Sequence, residues 1–120
     1  MDDLQFARAQ NEIYQSMGQI LIGMVEPEYE GRWKEIDLRV DHASFEQTPG
    51  AYAIRVTVVL EDGFTHHLIV RPELVDLCRD LDLLCRDQSR KWWKAIECKV
   101  TNEADGPSFE CRFLYPDAAH

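Results

Sequence analysis

The spacing of hydrophobic residues predicts that the chain begins with a helix. Across residues 3–24, apolar side chains recur at the three- and four-residue steps that form one face of a helix. Asp2 or Asp3 can cap the start, and Pro27 closes the run because proline has no N–H for a helical hydrogen bond. An acidic loop is expected from Glu26 to Gly31. The apolar positions are Leu4, Ala7, Ile13, Tyr14, Met17, Ile20, Leu21 and Met24.

A period of two replaces the helical spacing from Trp33 onward. Ile36, Leu38 and Val40 alternate with charged residues, so they fall on one face of an extended chain. This pattern predicts a half-buried strand over Trp33–Val40. The segment 46–50, Glu-Gln-Thr-Pro-Gly, is typical of a turn.

Two further apolar runs, residues 51–60 and 64–70, predict a hairpin. A two-residue loop at Asp62-Gly63 would pair Leu60 with Thr65. We favour a three-residue loop, because it places all the large apolar residues on one face and lets Gly63 adopt a left-handed conformation. The pairs that this loop predicts are Leu60 with Phe64, Val56 with Leu68, and Ile54 with Val70.

A second helix and a second hairpin complete the chain. Pro72 suits a first helical turn, and the apolar stripe that follows predicts a helix over residues 72–88. Alternation in residues 96–100 and 109–115, folded about residues 104–105, predicts the final hairpin. The order is therefore α-β-β-β-α-β-β, an α+β fold with two helices and an antiparallel sheet, in one domain over residues 1–120. The helical stripe consists of Leu74, Leu77, Cys78, Leu81, Leu84 and Cys85.

The final hairpin places Cys98 opposite Cys111 and Ile96 opposite Phe113. That register allows a cross-strand disulfide. In a reducing cytosol, two packed thiols are the expectation instead. No C-x-x-C motif is present, so zinc-ribbon and thioredoxin-like sites have no support.

The net charge of the chain indicates which classes of binding partner are favoured. The chain carries 22 acidic and 13 basic residues, a formal net charge of −9, which disfavours direct binding to nucleic acid or to an anionic membrane. It favours a basic protein partner, although many cytosolic proteins are acidic without an acidic function. The apolar run Ile20–Val25 is too short to span a bilayer, and Asp2 and Asp3 do not suit a signal peptide. We expect a cytoplasmic protein.

No catalytic or cofactor-binding pattern stands out. The cysteines fall on apolar faces, no serine occupies a G-x-S-x-G elbow, and the scattered glycines form no phosphate-binding loop. His66 and His67 are adjacent on a strand and point to opposite faces, so they cannot share a metal ion; we place His66 on the core side. His42 and His120 are isolated in the sequence. We therefore expect no enzyme activity, no cofactor and no metal.

Surface residues remain as the candidates for function. Acidic side chains near the first hairpin turn and on the second helix can complement a basic partner, or can be a solvated surface. Trp92 and Trp93 lie beside basic residues, so one indole can be core and the other an interface anchor. The candidate partner-binding residues are Glu61, Asp62, Glu73, Asp76, Asp80, Asp87 and Trp93.

Taken together, these local patterns resemble the YezG-like family of bacterial immunity proteins. The resemblance rests on an N-terminal helix, on a tryptophan that opens the first strand, and on an aromatic last strand. It spans nearly the whole chain. The matching segments are Trp33-Lys34-Glu35-Ile36, Ala51-Tyr52-Ala53-Ile54, Glu61-Asp62-Gly63, Leu74 to Leu84, Trp92-Trp93-Lys94 and Phe109 to Asp117.

The resemblance implies a cytosolic antitoxin that binds a cognate bacterial toxin, often a nuclease, and covers its substrate groove with an acidic face. It carries over no catalytic residue. The order of elements is also similar to that of class I type III secretion chaperones, which are dimers that hold an effector segment along hydrophobic patches. A small enzyme is a third alternative. The oligomeric state stays open.

Overall fold

A computed structural model describes residues 2–42, 52–87 and 93–115. The predicted turn over residues 46–50 and Trp92 lie outside these residues, as does the end of the aromatic segment beyond Tyr115. The elements are α1 (Asp3–Tyr29), β1 (Trp33–His42), β2 (Tyr52–Leu60), β3 (Thr65–Leu68), α2 (Pro72–Asp87), β4 (Ala95–Glu103) and β5 (Gly106–Leu114). The predicted α+β class and the order α-β-β-β-α-β-β are confirmed.

The five strands form one antiparallel sheet in the order β3-β2-β1-β4-β5, with β1 at its centre. Both helices contribute to a single apolar core over one face of this sheet. Buried side chains alternate along the central strands, as predicted for Ile36, Leu38 and Val40, which are at most 2% exposed. Met17 and Leu21 of α1 pack on them and have no exposed surface.

The register of both hairpins is confirmed. Val56 lies opposite Leu68, and the N–H of Leu60 donates to the carbonyl of Phe64 over 2.8 Å. Gly63 has φ +92°, the left-handed conformation that the three-residue loop requires. The strand β3 is shorter than predicted and stops at Leu68, so the predicted Ile54–Val70 pair is not part of the ladder.

The expectation of two packed thiols on the last hairpin is wrong. Cys98 lies opposite Cys111, as the register predicts, and the two residues form a disulfide. Their Cα atoms are 4.1 Å apart, so the strand pairing alone brings the two sulfurs together. The expectation relied on the redox state of a compartment, whereas the geometry is set by the register. Cys78 and Cys85 are buried on α2 and are not part of a disulfide.

The prediction that Pro27 ends the first helix is also wrong, because α1 continues through Pro27 to Tyr29. A proline in a helix removes the hydrogen bond to the carbonyl four residues earlier, which here belongs to Gly23. Arg71, just before α2, replaces it: its Nη2 donates to the Gly23 oxygen over 3.3 Å. A distant side chain therefore satisfies the acceptor that the local sequence leaves unpaired.

Replacing Arg71 with methionine tests whether its side chain takes the place of the missing N–H of Pro27 as donor to the Gly23 carbonyl. We expect Arg71→Met to lower the free energy of unfolding by about 1 kcal/mol, the net value of one such hydrogen bond. In a Pro27→Ala background, residue 27 regains its own N–H, so the same change should cost about 0.3 kcal/mol or less. Chemical denaturation of the four proteins measures the difference. Equal costs in the two backgrounds would contradict the mechanism.

Thiol titration tests the disulfide. Unfolded without reductant, the chain should react with two equivalents of a thiol reagent, from Cys78 and Cys85, and with four after reduction. The Cys98→Ser/Cys111→Ser variant is the control and should give two equivalents in both conditions. Four equivalents from the unreduced chain would show that the bridge is absent.

Candidate functional site

Three turns of the fold meet at one end of the sheet and carry six exposed carboxylates. Since β1 runs antiparallel to both β2 and β4, its start lies beside the β2–β3 turn and the β4–β5 turn. The turn between α1 and β1 lies at the same place. We call this surface the acidic end; its exposed carboxylates are Glu28, Glu30, Glu61, Asp62, Glu103 and Asp105.

Short contacts hold the acidic end together. The N–H of Glu61 donates to the Arg32 carbonyl over 2.9 Å, which joins the β2–β3 turn to the start of β1. Asn102 Nδ2 donates to the Trp33 carbonyl over 3.0 Å and joins β4 to the same strand. The Tyr29 ring stacks on His66 with centroids 5.5 Å apart, so the end of α1 is fixed against β3. The carboxylates therefore project from an ordered base.

Two exposed cations, Arg32 and Lys34, lie among these six carboxylates. Arg32 is held within its own segment, because its Nη2 donates to the Glu28 carbonyl over 2.9 Å and its guanidinium lies 5.5 Å from the centre of the Tyr29 ring. The acidic end thus keeps a strong excess of negative charge. Strand spacing of about 4.8 Å gives it a width of about 20 Å across the five strands.

The structure divides the predicted partner-binding residues between two surfaces. Glu61 and Asp62 belong to the acidic end. The three acidic residues predicted on the second helix, Glu73, Asp76 and Asp80, are exposed on α2 and belong to none of the three turns. The side chain of Asp87 lies outside the described residues. The sequence does not show that the α1–β1 and β4–β5 turns join the acidic end, since only the sheet order brings them together.

The choice of Trp93 as a partner-facing anchor is wrong. Its side chain has no exposed surface and packs against the rings of His42, at a centroid distance of 4.5 Å, and Tyr52, at 5.8 Å. An indole is large enough to fill the end of the core where β4 begins, and burial there removes more apolar surface from water than exposure would.

His42, which looks isolated in the sequence, joins a buried polar cluster at the opposite end of the sheet. The Tyr52 hydroxyl donates to Asp82 Oδ2 over 2.8 Å, and His42 Nε2 lies 3.8 Å from the same oxygen. Asp82 is the buried charged residue of the described chain, with no exposed surface, and the His42 side chain is 4% exposed. The cluster ties the end of β1 and the start of β2 to α2.

This cluster holds the types of residue used in acid–base chemistry, but its burial closes it to a substrate. The neighbouring Trp93 Nε1 has no hydrogen-bond partner among the described residues. A buried carboxylate that accepts from a phenol and faces an imidazole stabilises the packing of its neighbours, since each polar atom would otherwise lose its hydration without replacement. We therefore assign the cluster a structural role.

The outer face of the sheet, opposite the helices, carries rows of charge. One row runs from Arg55 through Arg39 and Glu97 to Arg112, and Arg39 also pairs with Asp41 over 2.9 Å. The hydrogen bond from Arg112 lowers the pKa of Glu97, and that from Arg39 lowers the pKa of Asp41. The four residues of this row line an open hollow of about 580 Å³.

Asp37 lies in the second row of this outer face, between Thr57 and Lys99. Partial burial, followed by a hydrogen bond with Glu35, raises the pKa of Asp37 to about 6. The rows consist mainly of residues that pair with one another, as on a solvated sheet face.

Little of the described chain points to covalent or metal chemistry. Burial raises the pKa of the Cys78 thiol to about 12, so this sulfur is not poised as a nucleophile. Among residues 2–42, 52–87 and 93–115 there is no group of three or more His, Cys, Asp or Glu residues that could hold a metal ion. Neither helix of the described chain has the length and apolar character to cross a membrane.

Comparison with known proteins adds no assignment. The chain matches no protein-family model and no curated protein sequence. The candidate site therefore rests on the geometry of the acidic end.

Removing the buried carboxylate tests the role of the opposite end. Asp82→Ala should lower the free energy of unfolding by about 3 kcal/mol, because it removes the carboxylate to which the Tyr52 hydroxyl donates and opens a void in the core. Tyr52→Phe should cost about 1 kcal/mol. The control is Asp80→Ala on the exposed face of α2, which should change stability by about 0.5 kcal/mol or less. Equal effects at Asp80 and Asp82 in chemical denaturation would refute the structural role.

Proposed function

We propose that this protein is an immunity protein, which binds and neutralises a cognate bacterial toxin. The observation that carries the proposal is the acidic end, where three turns fixed to one rigid sheet present six exposed carboxylates. The resemblance to immunity proteins and the net charge of −9 point in the same direction. The partner that this surface fits is a folded domain with a basic groove, such as a nuclease.

The mode of inhibition that we propose is occlusion of the toxin's active site. A nuclease groove is positively charged because it binds a phosphate backbone. Carboxylates placed across about 20 Å can occupy the same positive groups and exclude the nucleic acid. Charge of one sign also speeds the encounter of the two proteins, which matters for an inhibitor that must act before the toxin does.

Rigidity of the acidic end supports this mode. The hydrogen bonds from Glu61 to Arg32 and from Asn102 to Trp33 fix the backbone before any partner arrives. Binding then orders mainly the carboxylate side chains, so less conformational entropy is lost on association than with mobile loops.

The first experiment is co-expression of the chain with the product of the gene immediately upstream. We expect a stable complex, with a dissociation constant in the nanomolar range, between this chain and a folded toxic domain, and loss of toxicity in its presence. Failure of the neighbour to bind, or a complex that leaves toxicity unchanged, would overturn the proposal.

A matched pair of variants then locates the interface. Glu28→Gln/Glu30→Gln/Asp105→Asn removes three charges from the acidic end, and Glu73→Gln/Asp76→Asn/Asp80→Asn removes three from α2. At low salt the first variant should slow association with the toxin about tenfold, whereas the second should change the rate by about twofold or less. The reverse result would move the interface to α2, and equal effects would show only a general influence of net charge.

A second candidate function is that of a secretion chaperone. It is favoured by two large apolar side chains that the folded chain leaves in solvent, Phe64 at 67% and Ile69 at 93% exposure. A chaperone would bind its neighbour's product through an extended, unfolded segment. Limited proteolysis of the purified complex distinguishes the two candidates, because an immunity complex contains a protease-resistant partner domain and a chaperone complex does not.

A further inference from the structure

The strand β3 presents an unpaired edge. Among the strands of residues 2–42, 52–87 and 93–115 it lies at the end of the sheet and pairs with β2 alone. The Leu60 N–H bonds to the Phe64 carbonyl, so by the alternation of an antiparallel ladder His66 and Leu68 also bond towards β2. The N–H and C=O groups of Thr65 and His67 therefore point away from the sheet.

This edge lacks the features that usually prevent pairing with another chain. The segment Thr65-His66-His67-Leu68 contains no lysine, no proline and no bulge. The opposite edge strand, β5, contains Pro107 as well as Glu110 and Arg112. β3 is short, which is itself a protection, but apolar side chains extend the available surface at both of its ends.

Those side chains, Phe64 and Ile69, are the most exposed large hydrophobic residues of the described chain. They bracket β3 directly. By the alternation of the strand, Phe64 falls on the side of the sheet that the helices cover, as His66 and Leu68 do, and Ile69 falls on the outer side. Both side chains expose apolar surface to water, and a partner that pairs along β3 would bury this surface with a favourable free energy.

We propose that β3 pairs antiparallel with β3 of a second copy of this chain, so that two five-stranded sheets form one continuous sheet about a twofold axis. Hydrogen bonds through Thr65 and His67 allow two well-centred registers, with His66 or His67 on the axis. Phe64 then lies opposite Leu68 or Val70 of the second copy. Leu68 and Val70 already pack at the margin of the apolar core, so the pairing extends that core across the axis.

The charges at the two ends of β3 complement this arrangement. With His66 on the axis, Glu61 lies opposite Arg71 of the second copy. With His67 on the axis, Gly63 lies opposite Arg71, and the neighbouring Asp62 is then the nearest acidic residue. Arg71 has one N–H group engaged with the Gly23 carbonyl, which holds the guanidinium in place and leaves other donors available. The two acidic ends lie at opposite ends of the shared strands, so the pairing does not bring them into contact.

The inference does not depend on the proposed function, and the purified chain alone tests it. We expect sedimentation velocity between about 5 and 500 μM to show a monomer–dimer equilibrium with a dissociation constant on the order of 10 μM, as for a small interface. Amide hydrogen exchange at Thr65 and His67 should slow as concentration rises. A monomer throughout this range would overturn the inference.

Two variants locate the interface. His67→Pro removes an N–H that faces away from β2, so it leaves the ladder to β2 intact and should weaken dimerisation at least tenfold. Phe64→Ser should have a similar effect at a position that is exposed in the monomer. The control is Leu4→Ser, at a residue of comparable exposure (61%) in the first turn of α1. A dimer of unchanged affinity in His67→Pro and Phe64→Ser would place the contact elsewhere and refute the pairing.

Discussion

The fold depends on the pairing of β1 along both of its edges. This strand bonds to β2 on one side and to β4 on the other, and both neighbours run antiparallel to it. Its alternation decides which face of the sheet is apolar, because Ile36, Leu38 and Val40 lie in line with the buried residues of both neighbours. The two ends of β1 then acquire different characters. Its start collects the three turns of the acidic end, and its last residue, His42, enters the buried cluster with Asp82 and Tyr52.

Much of this architecture could be predicted from the sequence, because alternation and turn chemistry are local. The requirement that apolar residues share one face selected the three-residue loop at Glu61–Gly63, and the positive φ of Gly63 agrees with that choice. The same reasoning paired Cys98 with Cys111. In both hairpins, a slip of one residue would have moved every large side chain to the wrong face, so few registers were available.

Two of the errors, those at Pro27 and Trp93, share one cause, which is that a distant part of the chain decided the outcome. Pro27 is a helix breaker by local rules, but Arg71 supplies the missing donor from 48 residues away. Trp93 lies among basic residues in the sequence, yet the rings of His42 and Tyr52 enclose it. The acidic end could not be foreseen either. Glu28, Glu61 and Asp105 are distant in the sequence, and only the strand order β3-β2-β1-β4-β5 brings their turns together.

The acidic end and the β3 edge are neighbouring parts of the surface that differ in charge and therefore favour different partners. The β3 edge is uncharged and apolar at its flanks, and backbone pairing requires that character because charges along an edge prevent association. The acidic end is the reverse, since its carboxylates would repel those of a second copy but attract a basic groove. In the paired form, Glu28, Glu30, Glu103 and Asp105 remain clear of the axis. Each copy would therefore keep its own acidic end, and if that surface binds a toxin as proposed, one dimer would hold two toxin domains at opposite ends of a single sheet.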